Sequence, residues 1–457
     1  MLEHGPTSPP LHTGLYYSFA AIIQVYNDTK LSVNFGFGKY WQKSQVVVRN
    51  DGNKSSNSYL GAIKVGKEAI ELWWPRGYGK QKLYHASVEI EDPVSDRTIK
   101  KSVKFGFRTV KLVQKPINGS EGLSFYFTIN SKPIFLKGAN WIPADSFKDR
   151  VSVSTLKGLL TATVDANMNT LRVWGGGIYE PNEFYTLADE MGILIWQDLM
   201  FAVALYPVNK DFLRSVESEM LSQLHRLQHH PSIIAWSGNN ENEAAIAQSW
   251  WDDVTKNRAR LVGDYKELYS ETIRPIFVTK DRTRPFILSS PSNGDHYKAG
   301  EVIAANPQSP NYGDVHYYNY KGDCWDPSIF PKARFASEYG YQSYPSFLTM
   351  SEVGKGDDLT WDSSLMRHRQ HHANGNAEIY KFIGQHYDIP KTNNTQAQFY
   401  LMIYLSQIVQ ATCIKYETEH YRRLQGNVVD GEGFTMGALY WQLNDIWQGK
   451  GLEISKI

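Results

Sequence analysis

MNTLRVWGG (168–176), GILIWQDLM (192–200) and SIIAWSGNNE (232–241) are three short apolar runs, and each carries polar or charged residues in its second half: Arg172, Asp198 and Asn239 to Glu241. Runs of this length and composition read as buried strands. Between the second and third, Phe212, Val216, Met220, Leu224 and Leu227 recur at steps of four, four, four and three, which draws one apolar stripe down a helix. A second stripe runs from Leu156 through Leu159 and Leu160 to Val164, just before the first strand. Strand and helix alternate here, which predicts βα units.

The same unit recurs in both directions along the chain. PIFLKGANW (133–141) precedes these runs; RPFILSSP (284–291), YGDVHYYN (312–319), RFASEYGYQ (334–342) and MGALYWQLND (436–445) follow them. Eight strands with helical crossovers predict an α/β chain folded as a (β/α)8 barrel. The alternative, an open doubly wound sheet, needs a Gly-rich phosphate turn after an early strand. Trp174-Gly175-Gly176-Gly177 lacks the GxGxxG spacing and the acidic residue that should follow it.

Polar and aromatic residues gather at the C-terminal ends of these strands: Asn140 and Trp141, Arg172 and Trp174, Asp198, Asn239 to Glu241, His316 to Tyr318, Glu338 and Tyr339, and Trp441. In a barrel that face carries the active site, because the loops leaving it converge on the barrel axis. Random scatter would not put them all at one end.

Upstream the texture differs. From Gly14 to Val113, short β runs such as FAAIIQVY, QKSQVVVRN, KLYHASVEIEDP and KSVKFGFRTVKLV are broken by Asn-Asp, Asp-Gly and Asp-Pro turns. In the third run Ala86, Val88 and Ile90 share one face. This predicts an immunoglobulin-like β-sandwich over 14–114, an unstructured tail over 1–13 and the barrel over 115–448.

A chain of 457 residues suits at least two domains, and 42% hydrophobic with 21% charged residues is ordinary globular composition. The net charge of +1 gives no electrostatic case for nucleic acid or an anionic membrane surface. No apolar run approaches the ~20 residues that span a bilayer. The start, MLEHGPTSPPLHTG, lacks a signal-peptide pattern. Cys324 and Cys413 are too few for a disulfide framework, and sequons at Asn27, Asn53, Asn118 and Asn393 lean towards the secretory route. The 13 Trp and 28 Tyr suit either sugar stacking or aromatic core packing.

Cleavage of a glycosidic bond needs two carboxylates flanking it. Glu241 ends strand four and Glu338 ends strand seven, so they face each other across the barrel mouth. A separation of ~5 Å is within reach there, which implies retention through a covalent intermediate. Each glutamate alone could be an ordinary salt-bridged carboxylate. Glu243, two residues further into the loop, ranks below Glu241. His368, His371 and His372 in RHRQHH lack HExxH spacing and a completing ligand, so they read as surface; no metal and no cofactor is expected.

WSGNNENE (236–243) and FASEYGYQS (335–343) resemble the acid/base and nucleophile motifs of the β-mannosidases of glycoside hydrolase family 2. The resemblance extends to LWWPRGYGKQKLY (72–84), FLKGANWIPADSF (135–147), NTLRVWGGGIYEP (169–181) and ALYWQLNDIW (438–447), and is nearest to the animal lysosomal enzyme. It implies Glu241 as acid/base, its pKa raised by burial and by Glu338, and Glu338 as nucleophile, held ionised by Arg172. It implies Asn240 on the sugar 2-hydroxyl, and Asp198 and Asn140 on other hydroxyls or on Arg172. His316 with Tyr317 or Tyr318 would contact the nucleophile, although neighbours in a strand point to opposite sides. Trp441 would form the pocket floor, Trp174 would line it, and Trp250 or Trp251 would meet the leaving sugar.

The implied function is retaining release of terminal β-mannose from N-glycan fragments in the lysosome, with a β-mannoside oligosaccharide as partner. Two features depart from the family pattern. A jelly-roll domain with a SWDWGP-like loop does not precede the sandwich, and the first sixty residues match a sandwich poorly. GKGLEISKI (449–457) stands where a last barrel helix is expected. These predict a shortened product with weak or no turnover. A β-galactosidase, β-glucuronidase or exo-glucosaminidase specificity, or a non-catalytic product, are the alternatives.

Overall fold

The computed structural model describes residues 2–5, 15–23, 29–48, 57–66, 69–295 and 300–449. Strands β1 (Leu2–Gly5), β2 (Leu15–Ile23), β3 (Thr29–Phe37), β4 (Tyr40–Val48), β5 (Asn57–Val65), β6 (Tyr84–Asp92) and β7 (Arg97–Phe105) form two antiparallel sheets, ordered β1-β2-β5 and β4-β3-β6-β7. Alternation in β3 turns Leu31, Val33, Phe35 and Phe37 inward against Ala86 and Val88 of β6 and Ile63 and Val65 of β5. That shared core makes the two sheets a sandwich. Gly38, at φ +52°, opens the two-residue turn that joins β3 to β4.

The N-terminal reading needs correction at two places. Leu2–Gly5, assigned to an unstructured tail, pairs with β2, Leu2 opposite Ala21; the rest of the tail, 6–13, lies outside the described residues. The first sixty residues, read as a poor match to a sandwich, supply β3 and β4, which pair over their whole length.

KSVKFGFRTVKLV is two strands, not one, because the chain turns between them. A Cβ on Gly106 would lie 2.8 Å from Trp73 Cβ, so only glycine fits that close approach. Beyond it β8 (Val110–Val113) joins β9 (Tyr126–Ile129) and β10 (Lys132–Ile134) in a separate antiparallel sheet. Its Phe125 and Phe127 rings pack on Trp196 and, for Phe125, Phe335. This sheet caps the interior of the barrel at the end where the strands begin.

The barrel strands are β11 (Leu136–Trp141), β12 (Thr170–Val173), β13 (Leu194–Asp198), β14 (Ile233–Ser237), β15 (Phe286–Ile287), β16 (Val315–Tyr317), β17 (Ala336–Tyr339) and, after a small hairpin of β18 (Val428–Val429) and β19 (Glu432–Gly433), β20 (Gly437–Tyr440). All are parallel, in the order β15-β14-β13-β12-β11-β20-β17-β16. β20 pairs with both β11 and β17, which joins strand eight to strand one. The seam between strands five and six is stitched past the strand ends: Asp314 N donates to Ser292 O at 3.0 Å and Ser292 N to Asp314 Oδ1 at 3.0 Å. Strand five, expected across RPFILSSP, is therefore brief.

Helices α1 (Val153–Asp165), α2 (Asn182–Met191), α3 (Lys210–Leu227), α4 (Asn242–Ala247), α5 (Asp252–Tyr265), α6 (Arg274–Lys280), α7 (Phe347–Ser351), α8 (Ser364–His368), α9 (Gly375–His386) and α10 (Thr395–Arg423) surround it. Asn209 caps α3, its side chain accepting from Phe212 N, and the stripe Val216, Met220, Leu224 and Leu227 is buried as its spacing requires. Cys324 and Cys413, too few for a framework, are bonded to each other and tie the loop after β16 to α10. The stretch 450–457, where a last helix was expected, lies outside the described residues, as do Asn27 and Asn53; Asn118 and Asn393 are exposed.

Candidate active site

Arg172 organises the C-terminal end of the barrel from strand two. The guanidinium is fully buried and reaches four strands. Nη1 donates to Asn140 Oδ1 of strand one at 2.8 Å and to Glu338 Oε1 of strand seven. Nη2 donates to Asp198 Oδ2 of strand three at 2.7 Å and to Asn240 Oδ1, just after strand four, at 2.7 Å. Burial works against the charge, but the carboxylates of Asp198 and Glu338 more than offset it, and the arginine pKa is raised. Asn140 is fixed in turn by donating to Ser337 O at 2.9 Å and Leu439 O at 3.2 Å. Asp198 also accepts from Trp196 Nε1 at 3.0 Å and from Gly175 N at 3.2 Å. Burial pushes its carboxyl up to about 6 despite Arg172.

Glu241 and Glu338 meet over His316. His316 Nδ1 lies 2.8 Å from Glu241 Oε1 and 3.4 Å from Glu338 Oε2, and Tyr318 OH donates to Glu338 Oε2 at 2.9 Å. One oxygen of each glutamate and one nitrogen of His316 fall within 4.8 Å of one another. Burial raises the Glu241 carboxyl to about 7, against the pull of Arg172 and a hydrogen bond from Asn240. Burial is the main cause there, and the repulsion between the two carboxylates falls on Glu338, which Glu241 pushes up. Burial also raises Glu338, while His316 and Arg172 oppose it. For His316 burial acts the other way and brings the imidazole down to about 4. The resting arrangement is thus a neutral histidine beside a carboxyl that holds its proton to neutrality.

The backbone bends to make this possible. Glu241 follows β14 and caps α4 with φ +62° and ψ 0°, a left-handed conformation for a residue with a Cβ. Three glycines shape the loop opposite. A Cβ on Gly175 would meet Leu199 O at 2.6 Å, and one on Gly176 would lie 2.0 Å from the Trp174 ring. That indole folds over the loop and meets Trp441 edge to face, ring centroids 5.3 Å apart. Trp441 and Tyr318 then border a cavity of about 400 Å3, with Tyr341, Gln342, Gln410 and Asn444 on its walls.

Most of the residues read from sequence converge here: Asn140, Arg172, Trp174, Asp198, Asn240, Glu241, His316, Tyr318, Glu338 and Trp441. Tyr317 does not. Strand alternation turns it out of the barrel, where its hydroxyl donates to Ile329 O and its ring meets Phe330 at 6.4 Å. Trp251 packs on the core beside the helices, and the indole of half-buried Trp250 donates to Gln248 Oε1 at 2.9 Å. Glu243 is fully buried and accepts from Ala304 N at 2.9 Å, which anchors a loop. His368 and His371 are exposed, but His372, read as surface, is mostly covered and pairs with Glu378 at 2.8 Å.

Behind His316 lies a cluster the sequence reading missed. Ser290 Oγ is 3.2 Å from His316 Nε2 and donates to Asp314 Oδ2 at 2.6 Å; Ser337 Oγ donates to the same oxygen at 2.5 Å. Small polar residues at strand ends look like turn chemistry in a sequence. Only the placement of strands five, six and seven side by side brings these three together. The Glu241, His316 and Glu338 group is also the one set of ligand atoms among the described residues spaced as a metal site needs. Its atoms are already engaged by one another, Arg172 and Tyr318, and the buried guanidinium supplies the positive charge.

No protein-family model matches the chain. It is 54% identical to a β-mannosidase of Capra hircus over 387 residues, 84% of this chain and 44% of that protein. A probable β-mannosidase of Caenorhabditis elegans is 41% identical over 396 residues, 82% of this chain and 43% of the relative. Among solved structures, a β-D-mannosidase from Dictyoglomus thermophilum superposes with a TM-score of 0.84 at 31% identity, covering 99% of this chain and 52% of that one. The chain spans about half the length of the relatives it matches.

Proposed function

The chain belongs to the β-mannosidase family, and from that premise we propose that Glu338 and Glu241 carry out retaining hydrolysis of terminal β-D-mannosides. The observation that carries this reading is the approach of the two carboxylates to within 4.8 Å about one histidine. Inverting hydrolases hold their carboxyls ~6.5–9.5 Å apart to admit a water, whereas retaining enzymes need ~5 Å. Glu338 attacks the anomeric carbon as Glu241 gives its proton to the leaving oxygen. The glycosyl-enzyme ester is then cleaved by water, whose proton returns to Glu241.

The surrounding groups suit these roles. Arg172 and Tyr318 donate to the two oxygens of Glu338 and keep it oriented as an anion. A raised Glu241 carboxyl retains the proton that the first step spends, and removal of the Glu338 charge in the ester leaves it free to act as a base. Asn240 is held by Arg172 beside Glu241, within reach of a sugar 2-hydroxyl, and Trp441 and Trp174 supply an apolar wall for the ring. The substrate class is the β-mannose terminus of N-glycan-derived oligosaccharides, and the compartment is the lysosome.

Two measurements on the full chain decide it. Weak turnover of p-nitrophenyl β-mannoside, in preference to the β-galactoside and β-glucuronide, is expected. So is stoichiometric labelling of Glu338 by a 2-deoxy-2-fluoro-β-mannosyl fluoride. Labelling at any other residue, or hydrolysis with inverted stereochemistry, would overturn the assignment.

A further inference from the structure

The Asp314–Ser290–His316 row runs directly into the two glutamates. We propose that Asp314, acting through the Ser290 hydroxyl, fixes His316 as the Nε2–H tautomer, so that its Nδ1 lone pair faces Glu241 and accepts the acid/base proton. This rests on the catalytic roles proposed above and adds Asp314 and Ser290 as positioning residues.

Donor counting carries it. Asp314 is fully buried, and its Oδ1 accepts from Ser292 N at 3.0 Å. Its Oδ2 accepts the hydroxyls of Ser290 at 2.6 Å and Ser337 at 2.5 Å. Ser290 has one proton, and the carboxylate takes it in the shorter bond. Towards His316, 3.2 Å away, the hydroxyl can then only accept, so the Nε2 atom carries the hydrogen. A neutral imidazole has one N–H, which leaves Nδ1 bare, 2.8 Å from Glu241 Oε1. Such a short contact needs a proton between the atoms, and it is the one on Glu241. The charged groups facing His316 are Glu241, Glu338 and Arg172 on the pocket side and Asp314 behind. The depressed imidazole pKa agrees with a ring that stays neutral among them.

The chemical consequence is a stored proton. In the free enzyme His316 holds it on Glu241, and the glycosidic oxygen of a bound substrate replaces Nδ1 as its acceptor. The opposite tautomer would donate to Glu241, favour the carboxylate and weaken the acid.

The isosteric variant Asp314→Asn runs the row backwards. An amide NH2 in place of Oδ2 would donate to Ser290, force that hydroxyl to donate to Nε2, and move the histidine hydrogen to Nδ1. Ser337 could still turn to Val315 O, 3.3 Å away. The full chain, labelled with 15N-histidine and assigned by the signal lost in His316→Asn, reports the tautomer directly by long-range 15N–1H correlation. We expect Nε2–H in the parent and Nδ1–H in D314N. In the same variant the alkaline limb of kcat/KM should move down by about one pH unit, and turnover of methylumbelliferyl β-mannoside should fall about tenfold more than that of the dinitrophenyl β-mannoside, whose leaving group needs no acid.

An Nδ1–H signal in the parent, or equal losses on the two substrates, would overturn the proposal. If D314N fails to fold, the parent spectrum and Ser290→Ala decide, since losing the Nε2 acceptor should mix the tautomers. The spectrum is readable in a chain with no turnover, so failure of the hydrolase reading is distinguishable from failure of this one.

Discussion

Arg172 and Asp198 form an ion pair at 2.7 Å in which neither side chain has any solvent exposure. Arg172 also holds Glu338, so the pair is a support as much as a site. Removing one partner of a buried pair leaves an uncompensated charge, which costs about 3–5 kcal/mol. Asp198→Ala should lose stability on that scale in urea melts, and Asp198→Asn, which keeps the shape and some hydrogen bonding, should lose less. An Asp198→Ala midpoint equal to the parent's would show that water reaches the guanidinium.

Glu241 gives a pH dependence with a definite sign. Its carboxyl rises from 4.5 to about 7 on folding because burial favours the neutral form. The folded state therefore binds this proton more tightly than the unfolded chain. The stability it contributes is complete below about 4.5 and is lost as pH climbs to about 7. Glu241→Gln cannot ionise, so its advantage over the parent should grow through that window to roughly 3 kcal/mol at the top. Denaturation at a series of pH values checks it. The parent's kcat/KM should show its alkaline limb near the same pH, about 7.

The backbone at Glu241 predicts a further asymmetry. With φ at +62°, a Cβ is strained, whereas glycine adopts this conformation freely. Left-handed backbone costs an L residue roughly 1–2 kcal/mol. Glu241→Gly should therefore be more stable than Glu241→Ala by about 1 kcal/mol in thermal melts, although a glycine usually weakens a fold. Both would be inactive on unactivated substrates.

Much of this was legible in the sequence, for physical reasons. Buried parallel strands such as LIWQD and IIAWS carry their apolar residues in unbroken runs, so their limits and the polar ends that mark the site stand out. The βα connectivity then fixes which face Arg172, Asp198, Glu241 and Glu338 share. What stayed hidden depends on the third dimension. Ser290, Asp314 and Ser337 lie within or just beyond the ends of three strands and mean nothing singly, and the break at Gly106 is dictated by a distant Trp73. Leu2–Gly5 has no pattern of its own and becomes a strand only by pairing with β2.

Tyr317 and Tyr318 show how far one residue of register matters. They are neighbours, and sequence allowed either at the nucleophile. The structure puts the Tyr318 hydroxyl 2.9 Å from Glu338 and sends Tyr317 outward to Ile329 and Phe330. Losing a hydrogen-bond donor aimed at reacting charge typically costs about 100- to 1,000-fold in kcat. Tyr318→Phe should lose kcat towards that scale with an unchanged melting temperature, because its bond serves the reaction. Tyr317→Phe should keep kcat and lose about 1 kcal/mol of stability, the net worth of a partly buried hydrogen bond. Equal effects of the two substitutions on kcat would mean that β16 sits in the other register, which would also displace His316 from the glutamates.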